Sequence, residues 1–295
     1  MRAGELGFLL LTSQLGNPER RVLTTAQLRT LASRVRTRER TGEDRELGQG
    51  DLAAMGYSLE ESTRILALLE EQELLEYYLH KARRAGCVPV TRVSEGYPLR
   101  LRKRLGEDSP GCLWAKGDLS LLDRPGIALV GSRELRPGNR EFAREAGRQA
   151  AAQGYVLISG NARGADKTAQ EACLEAGGRV ICVVADRLDK QKDNDRVLYL
   201  SESGFDSPFS AQRALSRNRC IHALGEKAIA AQCSLKTGGT WDGSVKNLRF
   251  GWSPMYVFDD GSESMDLLEQ MGAVKIGLAE LKDLSGLPCP AQRMI

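Results

Sequence analysis

Short, wholly apolar runs recur through the second half of the chain, spaced by segments with helical periodicity. Ile127 to Val130, Tyr155 to Ile158, Val180 to Ala185, Ala228 to Gln232 and Met255 to Phe258 each read as a strand covered on both faces. Phe142 to Gln153 reads as a helix between the first two strands, and Asp166 reads as the cap of a second helix running to Ala176. Strands alternating with helices predict an α/β fold, a doubly wound and mostly parallel sheet that binds ligands beyond the carboxyl ends of its strands.

The N-terminal part has a different texture. Apolar residues at helical spacing, Leu28, Leu31, Ala32 and Val35 and then Leu59 to Leu79, predict a small helical domain over residues 1–85. Ser58 with Glu61 forms a capping box, and the charged stretch Arg36 to Gln49 reads as an exposed loop. A turn at Gly56 leaves two readings open, a helical protein-contact module and a helix-turn-helix. From Gly86 the chain turns to extended pieces, Cys87 to Val93 and Cys112 to Lys116, which predict a β extension over 86–125. The α/β domain then covers 126–276 and a short tail 277–295. The change of periodicity at Gly86 implies that the helical module can be separated from the rest.

Composition narrows the class. With 41% hydrophobic and 27% charged residues over 295 positions, the chain is globular. The apolar run Leu6 to Leu11 is too short for a membrane span or a signal-peptide core, so the expected location is cytoplasmic, with no membrane partner. Seven cysteines stand singly with no C-x-x-C pair, and neither His80 nor His222 has ligand spacing. No metal is expected, and both histidines read as hydrogen-bonded structural residues. Net charge is only +3, but 31 of the 42 basic residues are arginine, the residue that grips phosphate bidentately. They cluster at Arg29, Arg34, Arg36, Arg38 and Arg40, at Arg100, Arg102 and Arg104 around Lys103, and at Arg213, Arg217 and Arg219.

The strand ends carry the candidate chemistry. Gly131-Ser132-Arg133 follows the first strand, and Ser159-Gly160-Asn161-Ala162-Arg163-Gly164-Ala165-Asp166, with Lys167 after it, follows the second. Glycines admit a ligand close to backbone N–H groups, a helix begins at the second loop, and an arginine stands in each, which together predict an anion pocket. Gly164 is separated from Lys167-Thr168 by two residues, which rules out a Walker A loop, and no G-x-G-x-x-G follows any strand. No cofactor is expected. Two further segments reach the same edge. One is Phe209 to Arg219, containing Arg217 and Asn218; the other is Thr237-Gly238-Gly239-Thr240-Trp241-Asp242-Gly243, whose Trp241 either stacks a base or anchors the next helix.

Taken together, Tyr97-Pro98 to Leu101, Leu113-Trp114-Ala115-Lys116-Gly117-Asp118, Gly131-Ser132-Arg133, Ser159-Gly160 to Asp166 and Arg217-Asn218-Arg219 resemble the DprA/Smf family of bacterial DNA-processing proteins. The resemblance runs from about Gly86 to Ile276. It implies a Rossmann-like domain with an N-terminal β extension, and a groove that holds single-stranded DNA while recombinase is loaded during transformation. It nominates Gly131, Ser132, Arg133, Gly160, Arg163, Gly164, Asp166, Arg217 and Asn218. Asn161, Ala165 and Gln170 depart from the family pattern, the Tyr-Pro after the third strand is replaced by the charged loop Asp186 to Arg196, and the tail is too short for a winged helix.

The expected partner is single-stranded DNA, with a recombinase as a further candidate and the oligomeric state open between monomer and homodimer. A second reading comes from the Gly238-Gly239 loop, which also resembles the wider superfamily of nucleotide-sensing and nucleotide-cleaving Rossmann domains. The chain would then be a nucleotide sensor or hydrolase, for instance in antiphage defence. Asp166, Asp186 and Asp242 are its only strand-end carboxylates, and without an evident acid/base pair the expectation is a binding protein with no catalytic residue.

Overall fold

A computed structural model describes residues 1–37 and 47–288. Arg38, Arg40, Cys289 and the end of the 277–295 tail lie outside the described residues. Among the described residues nine strands form one sheet: β1 (Val88–Thr91), β2 (Cys112–Lys116), β3 (Gly126–Val130), β4 (Val156–Ser159), β5 (Arg179–Val183), β6 (Val197–Ser201), β7 (Lys227–Ala230), β8 (Met255–Phe258) and β9 (Val274–Ile276). Their order is β1-β2-β6-β5-β4-β3-β7-β8-β9. From β6 to β9 all neighbours are parallel, and β1 and β2 add antiparallel strands at the β6 side, with Trp114 opposite Ser201. The doubly wound α/β expectation holds, and the β extension is continuous with the main sheet.

Both faces are covered, which is why the strands read as unbroken apolar runs. On one face lie α1 (Ala3–Thr12), α5 (Gln72–Arg84), α7 (Pro137–Ala152) and α8 (Ala165–Glu175). On the other lie α6 (Leu99–Leu105), α10 (Asn218–Leu224), α11 (Gly238–Phe250) and α12 (Glu263–Gln270), with α9 (Ala211–Ser216) leading into α10. Three helices, α2 (Thr25–Thr37), α3 (Gln49–Ala54) and α4 (Leu59–Glu70), gather around a small separate cluster of Leu11, Leu23, Leu31, Leu52, Ile65 and Leu68.

The sequence pattern runs helical from Leu59 to Leu79, whereas the structure breaks it at Glu71. Buried Arg20 occupies that corner, donating to Glu71 and to the carbonyls of Leu10, Ser13 and Leu68. One cation thus satisfies the last carbonyls of two helices. The Ser58–Glu61 capping box forms as read, at 3.2 Å and 3.0 Å.

Separability at Gly86 is the expectation that the packing opposes. Leu9, Leu10, Leu75, Tyr78, Leu79 and Ala82 share one core with Trp114, Ile127, Phe142 and Leu157. The Tyr78 ring lies 5.3 Å from Trp114 and 4.7 Å from Phe205, and its hydroxyl donates to Asp206 at 2.7 Å, where Lys81 also pairs. The shift in periodicity at Gly86 therefore marks a change of secondary structure within a shared interior. The six described cysteines are buried and free, and burial raises Cys87, Cys173 and Cys233 to about 11, so they are unreactive packing residues. No helix among the described residues is long and apolar enough to cross a membrane.

A chain shortened to begin at Gly86 is expected to be insoluble or molten. In the full chain, Tyr78→Ala should cost about 3 kcal/mol, as large aromatic truncations in cores do. Urea unfolding checks both: a soluble, cooperatively unfolding fragment, or an unmoved midpoint for Tyr78→Ala, would contradict the shared core.

Candidate functional site

The chain runs outward from β3 through β4, β5 and β6, then returns across the sheet by α9 and α10 to enter β7 on the other side of β3. Such a reversal leaves a crevice at the carboxyl ends of the two diverging strands. Here it is a cleft of about 680 Å³ that adjoins a smaller one of about 250 Å³, the two sharing Arg133, Ala162, Ala214 and Arg217.

The loops after β3 and β4 touch each other. A Cβ on Gly131 would strike the Ala165 side chain, and one on Gly164, which has φ +87, would strike the Ser132 carbonyl. The Ala165 amide donates to that carbonyl at 3.1 Å. The glycine at 131 is therefore required by the contact with Ala165.

Arg217 is the buried element of the site. It stands between α9 and α10, donates to the Gly160 carbonyl at 2.9 Å and to Asn218 at 2.8 Å, and fills the space a side chain at 160 would need. Asp166 holds the same loop from the opposite side, accepting from the amides of Gly160 at 3.0 Å and Ala162 at 3.2 Å. Burial pushes the Asp166 carboxyl upward and the Arg217 guanidinium downward from their ordinary values, and each opposes the other's shift through its charge. Asp166 is thus not the cap expected of it. The helix starts one residue earlier, at Ala165, with Gly164 before it, and the carboxylate reaches back to close the loop instead.

The other nominated residues divide by place. Ser132, Arg133, Asn218, Gly238, Gly239 and Thr240 line the larger cleft; Gly160, Asn161 and Arg163 line the smaller. Asn161 adopts a left-handed φ of 58 and donates to Gln191 at 3.2 Å, and Asn218 donates to the Gly239 carbonyl at 3.0 Å. Gly164 shapes the loop contact without lining either space. Lys167 is exposed on α8 and also lines neither. Trp241 is half-buried against the core beneath α10 and α11, the anchoring alternative of its two readings. Sequence reasoning passed over Glu134 and Leu215 on the larger cleft and Phe209 on the smaller. Phe209 is 57% exposed, an apolar ring in water within a basic segment, and that mismatch was its signal.

The two later arginine clusters serve the fold. Arg100 and Arg104 on α6 donate to the carbonyls of Leu224, Ala223 and Gly225 at the end of α10. Arg213 caps the carbonyls of Ser207 and Pro208, and Arg219 pairs with Glu202 at 2.7 Å. At the clefts themselves Arg133, Arg163 and Arg217 face Glu134, Asp166 and Asp186. Arg163 is paired with Glu134 at 3.1 Å, so Arg133 is the one lining cation without a hydrogen bond or ion pair among the described residues.

His222, one turn beyond Asn218 on α10, is fully buried with neither ring nitrogen hydrogen-bonded, contrary to the satisfied histidine expected. Burial, aided by the nearby Arg217, lowers its pKa to about 4.

A sequence model described as DNA recombination-mediator protein A matches residues 89–244. The chain is 33% identical over 142 residues to the DNA processing protein DprA of Streptococcus pneumoniae, covering 44% of this chain and 50% of that protein. Its match to the Bacillus subtilis protein of the same name is 27% identical and spans 59% of this chain and 58% of the relative, so it covers about half to three-fifths of these curated relatives. The crystal structure of the Streptococcus pneumoniae protein shares the fold, with a TM-score of 0.72 and 24% identity over 94% of this chain and 95% of that one.

Two variants test the buried groups. Arg217→Ala leaves Asp166 buried without an opposing cation and should cost roughly 3–5 kcal/mol, measurable by denaturant titration. His222 favours its neutral form in the folded state, so the stability it confers is full above pH 6.5 and fades as pH falls towards 4. His222→Leu should remove up to about 3 kcal/mol of that acid sensitivity. A variant whose midpoint falls between pH 7 and 4 as steeply as the parent's would contradict the assignment.

Proposed function

The chain belongs to the DNA recombination-mediator protein A family, and on that premise we propose that it binds single-stranded DNA across the paired clefts as a step in DNA uptake or recombination. The observation that carries this reading is the placement of Arg133, with no hydrogen bond or ion pair among the described residues, between the loops of the switch point. Opposite it the first turn of α11 offers the amides of Gly238, Gly239 and Thr240, which have no acceptor within their own helix. Phe209 at the rim of the smaller cleft supplies a face on which an unpaired base can stack. A related protein from Helicobacter pylori, whose structure is titled for its single-stranded DNA binding mode, aligns with a TM-score of 0.55 at 24% identity over 67% of this chain and 93% of that one. None of the lining groups is arranged as a base-edge reader, so binding is sequence-tolerant. A recombinase, a second copy of the chain and a cytoplasmic location belong to the same proposal.

Binding, not hydrolysis, is the reading because the three strand-end aspartates that the sequence offers are already engaged. Asp166 accepts two loop amides, Asp242 pairs with Lys246 at 2.8 Å, and Asp186 accepts from Gln191 at 3.2 Å. A nucleotide hydrolase needs a carboxylate and an acid with separated pKa values facing an open site. Incubation with nucleoside monophosphates is expected to release no base above a control without protein.

Because Arg133 is the one lining cation without a hydrogen bond or ion pair among the described residues, the salt dependence should be moderate. Fluorescence anisotropy with labelled oligo-dT should show tighter binding than to duplex. Arg133→Ala should weaken it about tenfold and flatten the log–log salt slope by roughly one unit, and Phe209→Ala should weaken it by about 1–3 kcal/mol. Preference for duplex, or folded variants that bind like the parent, would sink the reading.

A further inference from the structure

An acidic side chain stands at the lip of the site where a polyanion would arrive. Glu134 follows Arg133 directly and lines the larger cleft, and its carboxylate lies 3.1 Å from the Arg163 guanidinium, which lines the smaller one. Both side chains are largely in water, 89% and 74% exposed. Their backbones are not free to separate. Gln232 donates to the Glu134 carbonyl at 3.0 Å, accepts from the Arg136 amide at 3.0 Å and receives the Ser132 amide on its own carbonyl at 2.9 Å. Three bonds from one residue thus fasten the 132–136 loop, and the Ser132–Ala165 bond fastens it to the loop bearing Arg163.

We propose that Glu134 is a resident competitor for Arg163, a specificity-determining residue that keeps the second phosphate position closed until a strand reaching both clefts displaces it. The inference rests on the single-stranded DNA reading above. Arg217 is committed to Gly160 and Asn218, so the cations at the surface of the site are Arg133 and Arg163. A ligand with one phosphate engages Arg133 without disturbing the pair. A strand that also places a phosphate on Arg163 must push the carboxylate aside. An exposed pair is weak enough for a phosphate to break, and the repulsion of Glu134 then acts on the bound strand as well. Glu134 accordingly lowers affinity for long strands and leaves short ones unaffected.

Anisotropy titrations of labelled oligo-dT over a salt series, with the parent, Glu134→Gln, Arg163→Gln and the double variant, test this. Glu134→Gln should bind roughly 3- to 10-fold tighter at low salt, with a log–log slope steeper by roughly one unit because Arg163 is no longer neutralised by a carboxylate before the phosphate arrives. The gain should vanish in the Arg163→Gln background, the signature of two residues acting as a coupled pair. Unchanged binding by Glu134→Gln overturns the proposal. An equal gain without Arg163 also overturns it, since Glu134 would then act only as a general repulsive charge. If neither the parent nor Glu134→Gln retains the oligonucleotide, the DNA reading fails too, and that result is told apart from the others by the silence of the parent.

Discussion

Arg217 holds a guanidinium out of water against the carbonyl of Gly160, and the loops around the switch point are arranged to make that tolerable. A buried cation is costly unless its charge is opposed and its donors are used. Asp166 supplies the opposing charge while tying down the amides of Gly160 and Ala162. The glycine at 160 gives the guanidinium its place, and Asn218 takes a second donor while its own amide reaches Gly239. Helices α8, α10 and α11 are therefore joined through polar groups at the end of the sheet where the cleft opens. The floor of the cleft is thus held by buried polar groups, while the side chains of Arg133, Glu134 and Arg163 stay at its surface.

The same economy governs Arg20, Arg100 and Arg104. A helix ends with carbonyls that lack partners, and where that end is enclosed by other elements water cannot serve them. Arg20 serves two helices at once, and Arg100 and Arg104 serve α10. A high arginine count with a net charge of +3 is thus partly an architectural fact, and the count alone says little about how many phosphates the surface can hold.

How far the fold could be read from the chain follows from which forces are local. Strands β3, β4, β5, β7 and β8 announce themselves because burial on two faces demands continuous apolar residues. β6 is as apolar, but its five residues follow the charged stretch 186–196 and were hidden by it, and β9 has three residues with Lys275 in the middle. The glycine-rich loops were legible since close approach restricts residue type at each position. Partnerships were not. Gly160 and Arg217 lie 57 positions apart, Arg163 and Glu134 lie 29 apart, and no periodicity reports which donor meets which acceptor across such spans. Asp166 shows the limit: a carboxylate at a helix start has the same sequence signature whether it caps its own helix or closes the preceding loop.

The contact of Tyr78 and Trp114 with Phe205 has a consequence for the order in which the protein can be made. Helix α5 and strand β2 leave the ribosome well before β6 and the turn that carries Phe205 and Asp206, since Tyr78 and Asp206 are 128 positions apart. At ordinary rates of synthesis the wait lasts on the order of ten seconds, far longer than local helices take to form. During that interval Tyr78 and Trp114 have each other and α1 but lack Phe205, and β2 has no β6 to pair with. The apolar surface of α5 and β2 therefore stays incompletely covered until β6 and Phe205 have been made.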